Sequence, residues 1–377
     1  MAEIKEIFIN SDNLETDEFK INMGPQHPAG HGVLRLVVTL EGEIVRNVDP
    51  NIGFIHSGIE KMCESLAYNQ IVHLTDRMDY LSAHISNEAV CLCVENALQI
   101  EVPDRVKYIR TIMDELMRIS SHQLWFGAYG MDMGASTALF YGLRDREKIL
   151  DIFEETCGAR VTLNYNMPGG LMFDIKPNFQ KQVKDYIKFL RKKLPEYDKL
   201  VSGNIIFTER TKGVGILSLE DCIAYGVTGP SGRASNFSCD VRKHHPYSAY
   251  PFVKFEEILD TTCDTYARYY NRIREMWESL NIIEQLIDNI PEGDYAVKMK
   301  GVVKLPEGEY MQRVETARGD FGVFIVSDGK KNPYRVKFRS PGFSNLFAVN
   351  KMSKGIKIGD LVATLGALDP VMPDIDR

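Results

Sequence analysis

Two long stretches of this chain can bury their apolar side chains only as helices. Val106, Ile109, Met113, Leu116 and Leu124 recur at helical steps, with Pro103 placed for the first turn. Asp104, Lys107, Arg110, Asp114 and Arg118 take the other faces. Within 260–290, Tyr266, Tyr269, Ile273, Trp277, Leu280, Ile283 and Ile287 form a second apolar stripe, and Pro291 terminates it. A third amphipathic helix is expected over 178–193, ending in the basic run Arg191-Lys192-Lys193, read as a solvated helix end, with Pro195 as its stop. Helical character begins near Ser57.

Both ends of the chain read as β-structure. Strands are expected at 19–23, 33–40 and 43–48, with Glu41-Gly42 as a hairpin turn, and again at 308–318, 321–326 and 334–338. Short helices are expected near 345–352 and 359–364. The fold class is therefore α+β: a helical-bundle core with β-structure contributed by the N- and C-terminal ends. The expected divisions are 1–53 for the N-terminal β region, 54–292 for the helical core, and 293–377 for a C-terminal return packed on that core. All three are expected to form one compact unit.

The net charge of −7 argues against nucleic acid as a partner, since phosphate binding needs clustered cations. No apolar run reaches the roughly 20 residues that span a bilayer. The first residues lack a signal peptide's apolar stretch, so a cytoplasmic chain is expected. Seven scattered cysteines with no C-x-x-C pair read as reduced core thiols. Cys91 and Cys93 would face different sides of a helix and make a poor metal claw.

Between the first two strands lies Gly24-Pro25-Gln26-His27-Pro28-Ala29-Gly30-His31-Gly32. Three glycines and two prolines exclude helix and regular strand, so the segment is a loop of defined shape. The H-x-x-x-H spacing is not a zinc motif here. That motif needs a helix and a Glu beside the first His, and Pro28 and Gly30 deny both. Read from the residues alone, His27 and His31 are either ordinary loop histidines or proton-handling groups on a loop whose fixed shape is entropically costly. Tyr80, in Asp76-Arg77-Met78-Asp79-Tyr80, falls at a helix junction and reads as amphipathic packing or as a site residue. Asp132 reads as an N-cap for the following helix or as a functional acid. Glu115 and His122 share a helix face, either as a buried polar pair or as solvated groups.

The run from Gly24 through Arg35 resembles the 49-kilodalton (D) subunit family of respiratory complex I, NADH:quinone oxidoreductase. So do His56-Ser57-Gly58-Ile59-Glu60-Lys61, Asp76 through Tyr80, Gly158-Ala159-Arg160, Pro168-Gly169-Gly170, and Gly226 through Pro230 with Arg233, Asp240 and Arg242. Glu315 through Gly319 and Asp374 through Arg377 complete the series, which spans about 19–377. The resemblance implies the fold of the nickel–iron hydrogenase large subunit without its metal. Both C-x-x-C pairs are missing, and Asp369-Pro370-Val371-Met372-Pro373-Asp374 stands where the second would be.

The resemblance also implies site residues. His31 and Tyr80 would hydrogen-bond the quinone, His27 would lie nearby, and Asp132 would pair with His31. This makes His31, Tyr80 and Asp132 the catalytic candidates. Ser57, Arg77 and Thr162 would lie near an iron–sulfur cluster held by a partner subunit. The chain itself would carry no cofactor and no metal. Its partners would be the other complex I subunits, including that iron–sulfur subunit and the membrane arm, at the cytoplasmic face of a bacterial inner membrane. Ser57 stands where the family has arginine, Thr162 where it often has histidine, and Ala128 where it has threonine. Losing a positive charge and a donor near the cluster should lower its potential, which implies a low-potential quinone such as menaquinone. The rival reading is a non-catalytic structural subunit of a ferredoxin-linked or membrane hydrogenase complex, which would not need His31, Tyr80 and Asp132 together. An unrelated hydrolase would lack a nucleophile motif.

Overall fold

The computed structural model describes residues 18–25, 32–299 and 301–377. At the N-terminal end β1 (Glu18–Met23), β2 (Arg35–Glu41) and β3 (Ile44–Asn51) form an antiparallel meander. Leu36, Val38 and Leu40 alternate onto one face, as a half-buried strand requires. The helical region follows with α1 (Ile59–Cys63), α2 (Tyr68–Met78), α3 (Ala83–Leu98), α4 (Asp104–Asp132) and α5 (Ser136–Cys157). A short hairpin, β4 (Asn166–Met167) and β5 (Gly170–Leu171), leads to α6 (Phe179–Tyr197), α7 (Ile205–Thr211), α8 (Leu219–Tyr225), α9 (Gly229–Arg233), α10 (Val241–His244) and α11 (Thr265–Ile287). A second meander, β6 (Gly308–Thr316), β7 (Gly319–Ser327) and β8 (Arg335–Arg339), precedes α12 (Pro341–Phe347), α13 (Val349–Ser353), α14 (Ile358–Gly366) and α15 (Met372–Asp376).

The α+β class expected from the sequence is the class observed. The apolar interior forms two clusters. The larger joins α2–α6 and α11 to the second meander through Val314, Phe321, Val323 and Phe338. The smaller joins the first meander to the closing helices, with Leu36, Val38 and Val45 against Leu346, Val349, Leu361 and Met372. The two chain ends thus pack on each other, and Val45 N donates to Ile356 O at 2.9 Å. Glycine lets α4 and α5 touch: a Cβ on Gly142 would sit 2.5 Å from the Gln123 carbonyl oxygen.

Two local expectations change. Pro195 does not stop α6, which runs to Tyr197 and continues into a wide turn in which Gly203 N donates to Asp198 O at 2.9 Å. The one helical bond that Pro195 forfeits does not break a helix packed against α5 and α11. Arg191 is no solvated helix end: it bonds Asn281 and Glu284 at 2.8 Å each, clasping α6 to α11. The charged faces of α4 are solvated only at its start, where Asp104 is exposed. Arg110, Asp114 and Arg118 are fully buried because α3, α5, α11 and α14 surround the helix.

Candidate functional site

The turn between α2 and α3 carries Asp79 and Tyr80, and the turn between β6 and β7 carries Arg318. The fold brings these turns together. Arg318 is fully buried and its Nη1 donates to both Asp79 oxygens, at 3.1 and 2.9 Å, and to Ser82 and Ser121 at 3.3 and 3.2 Å. Its Nη2 lies 3.0 Å from Asp369 Oδ2. A buried guanidinium needs carboxylates or carbonyls to offset its lost hydration, and here two carboxylates do so. Asp369 occupies the segment between α14 and α15 in a left-handed conformation, φ 55°, strained for a residue with a Cβ. Asp374 is buried beside them, bonded by Ser340, and burial pushes it up to about 7. Its other oxygen has no partner among the described residues, and neither has Arg318 Nε.

Tyr80 is half-buried at the edge of this cluster. Burial raises its hydroxyl above the ordinary tyrosine value, with the Arg318 cation opposing and the Asp79 and Asp369 charges adding. The phenol is therefore protonated at neutral pH.

Asp132 is the last residue of α4, not a cap of α5, whose N-cap position is Ala135. Its carboxyl makes no side-chain bond among the described residues, and burial alone pushes it up to about 6. It abuts the end of α14, where a Cβ on Gly366 would sit 3.9 Å from Asp132 Oδ2. Trp125 Nε1 donates to Gly366 O at 2.8 Å and Tyr129 to Ala363 O at 3.1 Å, fixing α4 against α14. Segment 366–372 thus has Asp132 at its start and the Tyr80–Arg318–Asp369 cluster along it.

His27 and His31 lie outside the described residues. The stem of their loop does not. Met23 pairs with Leu36, and Leu34 N donates to Pro25 O at 2.8 Å. Gly32 (φ 124°) packs on the same segment: a Cβ there would lie 2.7 Å from Met372 Cβ. The residues that flank the histidine loop therefore meet the segment that carries Asp369.

Arg77 is exposed, with Nε 3.5 Å from Asp76 Oδ1, and Asp76 accepts from Asn164 at 3.1 Å. This puts Arg77 near the segment of Thr162. Ser57, also exposed, follows His56, whose Nδ1 is 2.5 Å from Asp376 O. Asp376 also accepts from Gly53 and Ile55 backbone nitrogens at 2.6 and 3.0 Å. Among the described residues no hydrogen bond joins Ser57 to Thr162. No group of three or more His, Cys, Asp or Glu among the described residues is arranged to hold a metal ion.

Glu115 and His122 are both buried but do not pair with each other. Glu115 binds Arg118 and Arg242, while His122 is 3.1 Å from Glu275. Arg233 bridges Glu275 and Glu315 at 2.6 and 2.7 Å. The sequence alone does not single out Arg318, Asp79, Asp369 and Asp374 as site residues. Their only signal is membership of the ordered motifs, since periodicity says nothing about residues in turns.

The family model described as "Respiratory-chain NADH dehydrogenase, 49 Kd subunit" matches residues 132–303 and 295–377. The chain is 57% identical over 361 residues to the NADH-quinone oxidoreductase C/D subunit of Bacteroides thetaiotaomicron, covering 96% of this chain and 68% of that one. It is 43% identical over 364 residues to the NADH-quinone oxidoreductase D subunit of Bacillus mycoides, covering 96% and 100%. Among solved structures it resembles a chain of the membrane-bound sulfane sulfur reductase, an archaeal respiratory membrane complex. That match has a TM-score of 0.92 and 33% identity, covering 97% of this chain and all of the other.

Proposed function

Because this chain belongs to the 49 kDa subunit family of respiratory-chain NADH dehydrogenase, as a subunit of NADH-quinone oxidoreductase, we propose that it forms one wall of the site where quinone is reduced. Electrons would come from an iron–sulfur cluster in a neighbouring subunit, and the enzyme would couple the reaction to proton translocation. The observation that carries the reading is the convergence on segment 366–372. Tyr80 with its Arg318 cluster, Asp132, which has no partner among the described residues, and the stem of the His31 loop all meet it.

Quinone takes up two electrons and two protons to become quinol. Tyr80, held neutral, donates a hydrogen bond and then a proton to one developing oxyanion, with the Arg318 cation behind it. His31 serves the other oxygen, and the Asp132 carboxylate keeps its imidazole protonated until the transfer. His27 lies on the same loop and would line the headgroup. Among the described residues no helix is long and apolar enough to cross a membrane. Attachment at the cytoplasmic face would run through the partner subunits.

The pH dependence tests Asp132. Burial pushes its carboxyl up to about 6 and an imidazolium partner would draw it lower, so it is ionised at neutral pH and loses its hold on the imidazolium as pH falls. Turnover in the assembled complex should therefore show an acid limb no higher than that value. Asp132→Asn should erase the limb and lower the neutral rate about 100-fold. An unchanged limb would remove Asp132 from the mechanism.

Ser57 and Thr162 support a finer reading, reduction of a low-potential quinone such as menaquinone. Redox titration of the neighbouring cluster in the intact complex should give a potential below that of ubiquinone-reducing relatives. A potential typical of those enzymes refutes it.

A further inference from the structure

We infer that Glu88 and Asp114 hold one proton between them at neutral pH, forming a proton-operated clasp between α3 and α4. Both side chains are wholly buried, as is His84. His84 and Glu88 stand four residues apart on one face of α3, opposite Asp114 of α4. Asp114 Oδ1 lies 2.6 Å from His84 Nδ1, and Glu88 Oε1 accepts from the Ser248 hydroxyl. The two remaining oxygens, Glu88 Oε2 and Asp114 Oδ2, have no donor among the described residues, although the carboxyl groups lie within hydrogen-bonding reach of each other.

Two ionised carboxylates cannot face each other in a buried site without a donor; one proton between them satisfies both orphaned oxygens. The surrounding cations are committed elsewhere. Arg110 is held by Glu95 at 3.0 and 2.7 Å and by the Met167 and Gly170 carbonyls. Arg118 serves Glu115 and the carbonyls of Glu315 and Thr316, and Arg242 serves Asp240 and Glu115. Tyr250 donates to Glu115, and Tyr247 Oη accepts from Glu315 N. His84 does not supply the charge either, since burial pushes it down to about 4 and it donates to Asp114 as a neutral imidazole. Burial pushes Asp114 up to about 7 and Glu88 well above its ordinary value, so the shared proton persists at neutral pH.

Ser248 is half-buried, held in a left-handed turn (φ 45°), and the next residue is tied to α4 by Ala249 N donating to Thr111 at 3.0 Å. When the proton leaves, the pair changes from one negative charge to two and repels across the α3–α4 seam. Tyr80 precedes α3 and Asp132 ends α4, so loosening that seam alters the spacing of both ends of the site. That consequence rests on the site assigned above; the shared proton does not.

The test uses purified complex and needs no quinone chemistry. Infrared difference spectra should show a protonated-carboxyl stretch that is present at neutral pH and lost as the pH is raised. Glu88→Gln, whose amide supplies a permanent donor, should lack that band. The α3 amides, corrected for intrinsic exchange, should lose protection over the same range in the parent and not in Glu88→Gln. A band or a protection change identical in Glu88→Gln overturns the inference. If that variant does not assemble, Ser248→Ala leaves both carboxyls in place and must shift the band, and an unshifted band overturns it equally. Failure of these spectra would leave the quinone-site reading untouched, which Tyr80→Phe tests separately.

Discussion

Tyr80→Phe is expected to lower quinone reduction about 100-fold while the complex still assembles. The substitution keeps the ring that packs at the α2–α3 turn and removes only the hydroxyl. It leaves Asp79, Arg318 and Asp369 with every bond they make, because none of those bonds uses Tyr80. The loss should fall on turnover more than on quinone affinity, since a donor aimed at a developing oxyanion contributes most in the transition state. His31→Ala should do the same at the other oxygen, and the double variant should fall little further than the worse single one if the two groups act as a unit. Steady-state assays on the assembled complex, with the presence of every polypeptide checked by gel, decide the matter. Undiminished turnover in an assembled double variant would dismiss both residues from the site.

Arg233→Ala is expected to be the most damaging single change to the fold. The guanidinium is fully buried and binds Glu275 and Glu315 at 2.6 and 2.7 Å. Its removal leaves two carboxylates in the interior, with His122 as the nearest remaining partner of Glu275 and the Val241 N–H as that of Glu315. Breaking a buried pair by deleting one partner costs about 3–5 kcal/mol, a large part of the roughly 5–15 kcal/mol that holds a domain together. The chain should fail to accumulate in the complex. Arg46→Ala, which breaks an exposed pair with Glu41, should change stability by less than about 0.5 kcal/mol and assemble normally. Quantifying the chain in purified complex for the two variants separates them, and equal incorporation would show that the buried network is not what stabilises the core.

The same buried network covers the rest of α4. Its apolar stripe is real, and Val106, Ile109, Met113 and Leu116 are all buried. The other faces carry Arg110, Asp114 and Arg118. Those charges meet Glu95 from α3, Glu88 from α3 and the Glu315 carbonyl from β6. Periodicity reports which face is apolar; it does not report what the other face will meet.

The sequence by itself determined the helical middle, the β-structure at both ends, the glycine- and proline-rich loop with His27 and His31, and, through its ordered motifs, the family. These are local or contiguous features, written in spacing and residue type. Only the tertiary structure decided that Asp79, Arg318 and Asp369 form one cluster and that Asp132 lies against the segment that carries Asp369. Arg318 and Asp79 stand 239 residues apart, and nothing in either neighbourhood encodes the other. The physical reason is that burial, not sequence spacing, makes a charge find its partner. A guanidinium driven into the interior must be neutralised by whichever carboxylates the packed helices and turns bring within reach.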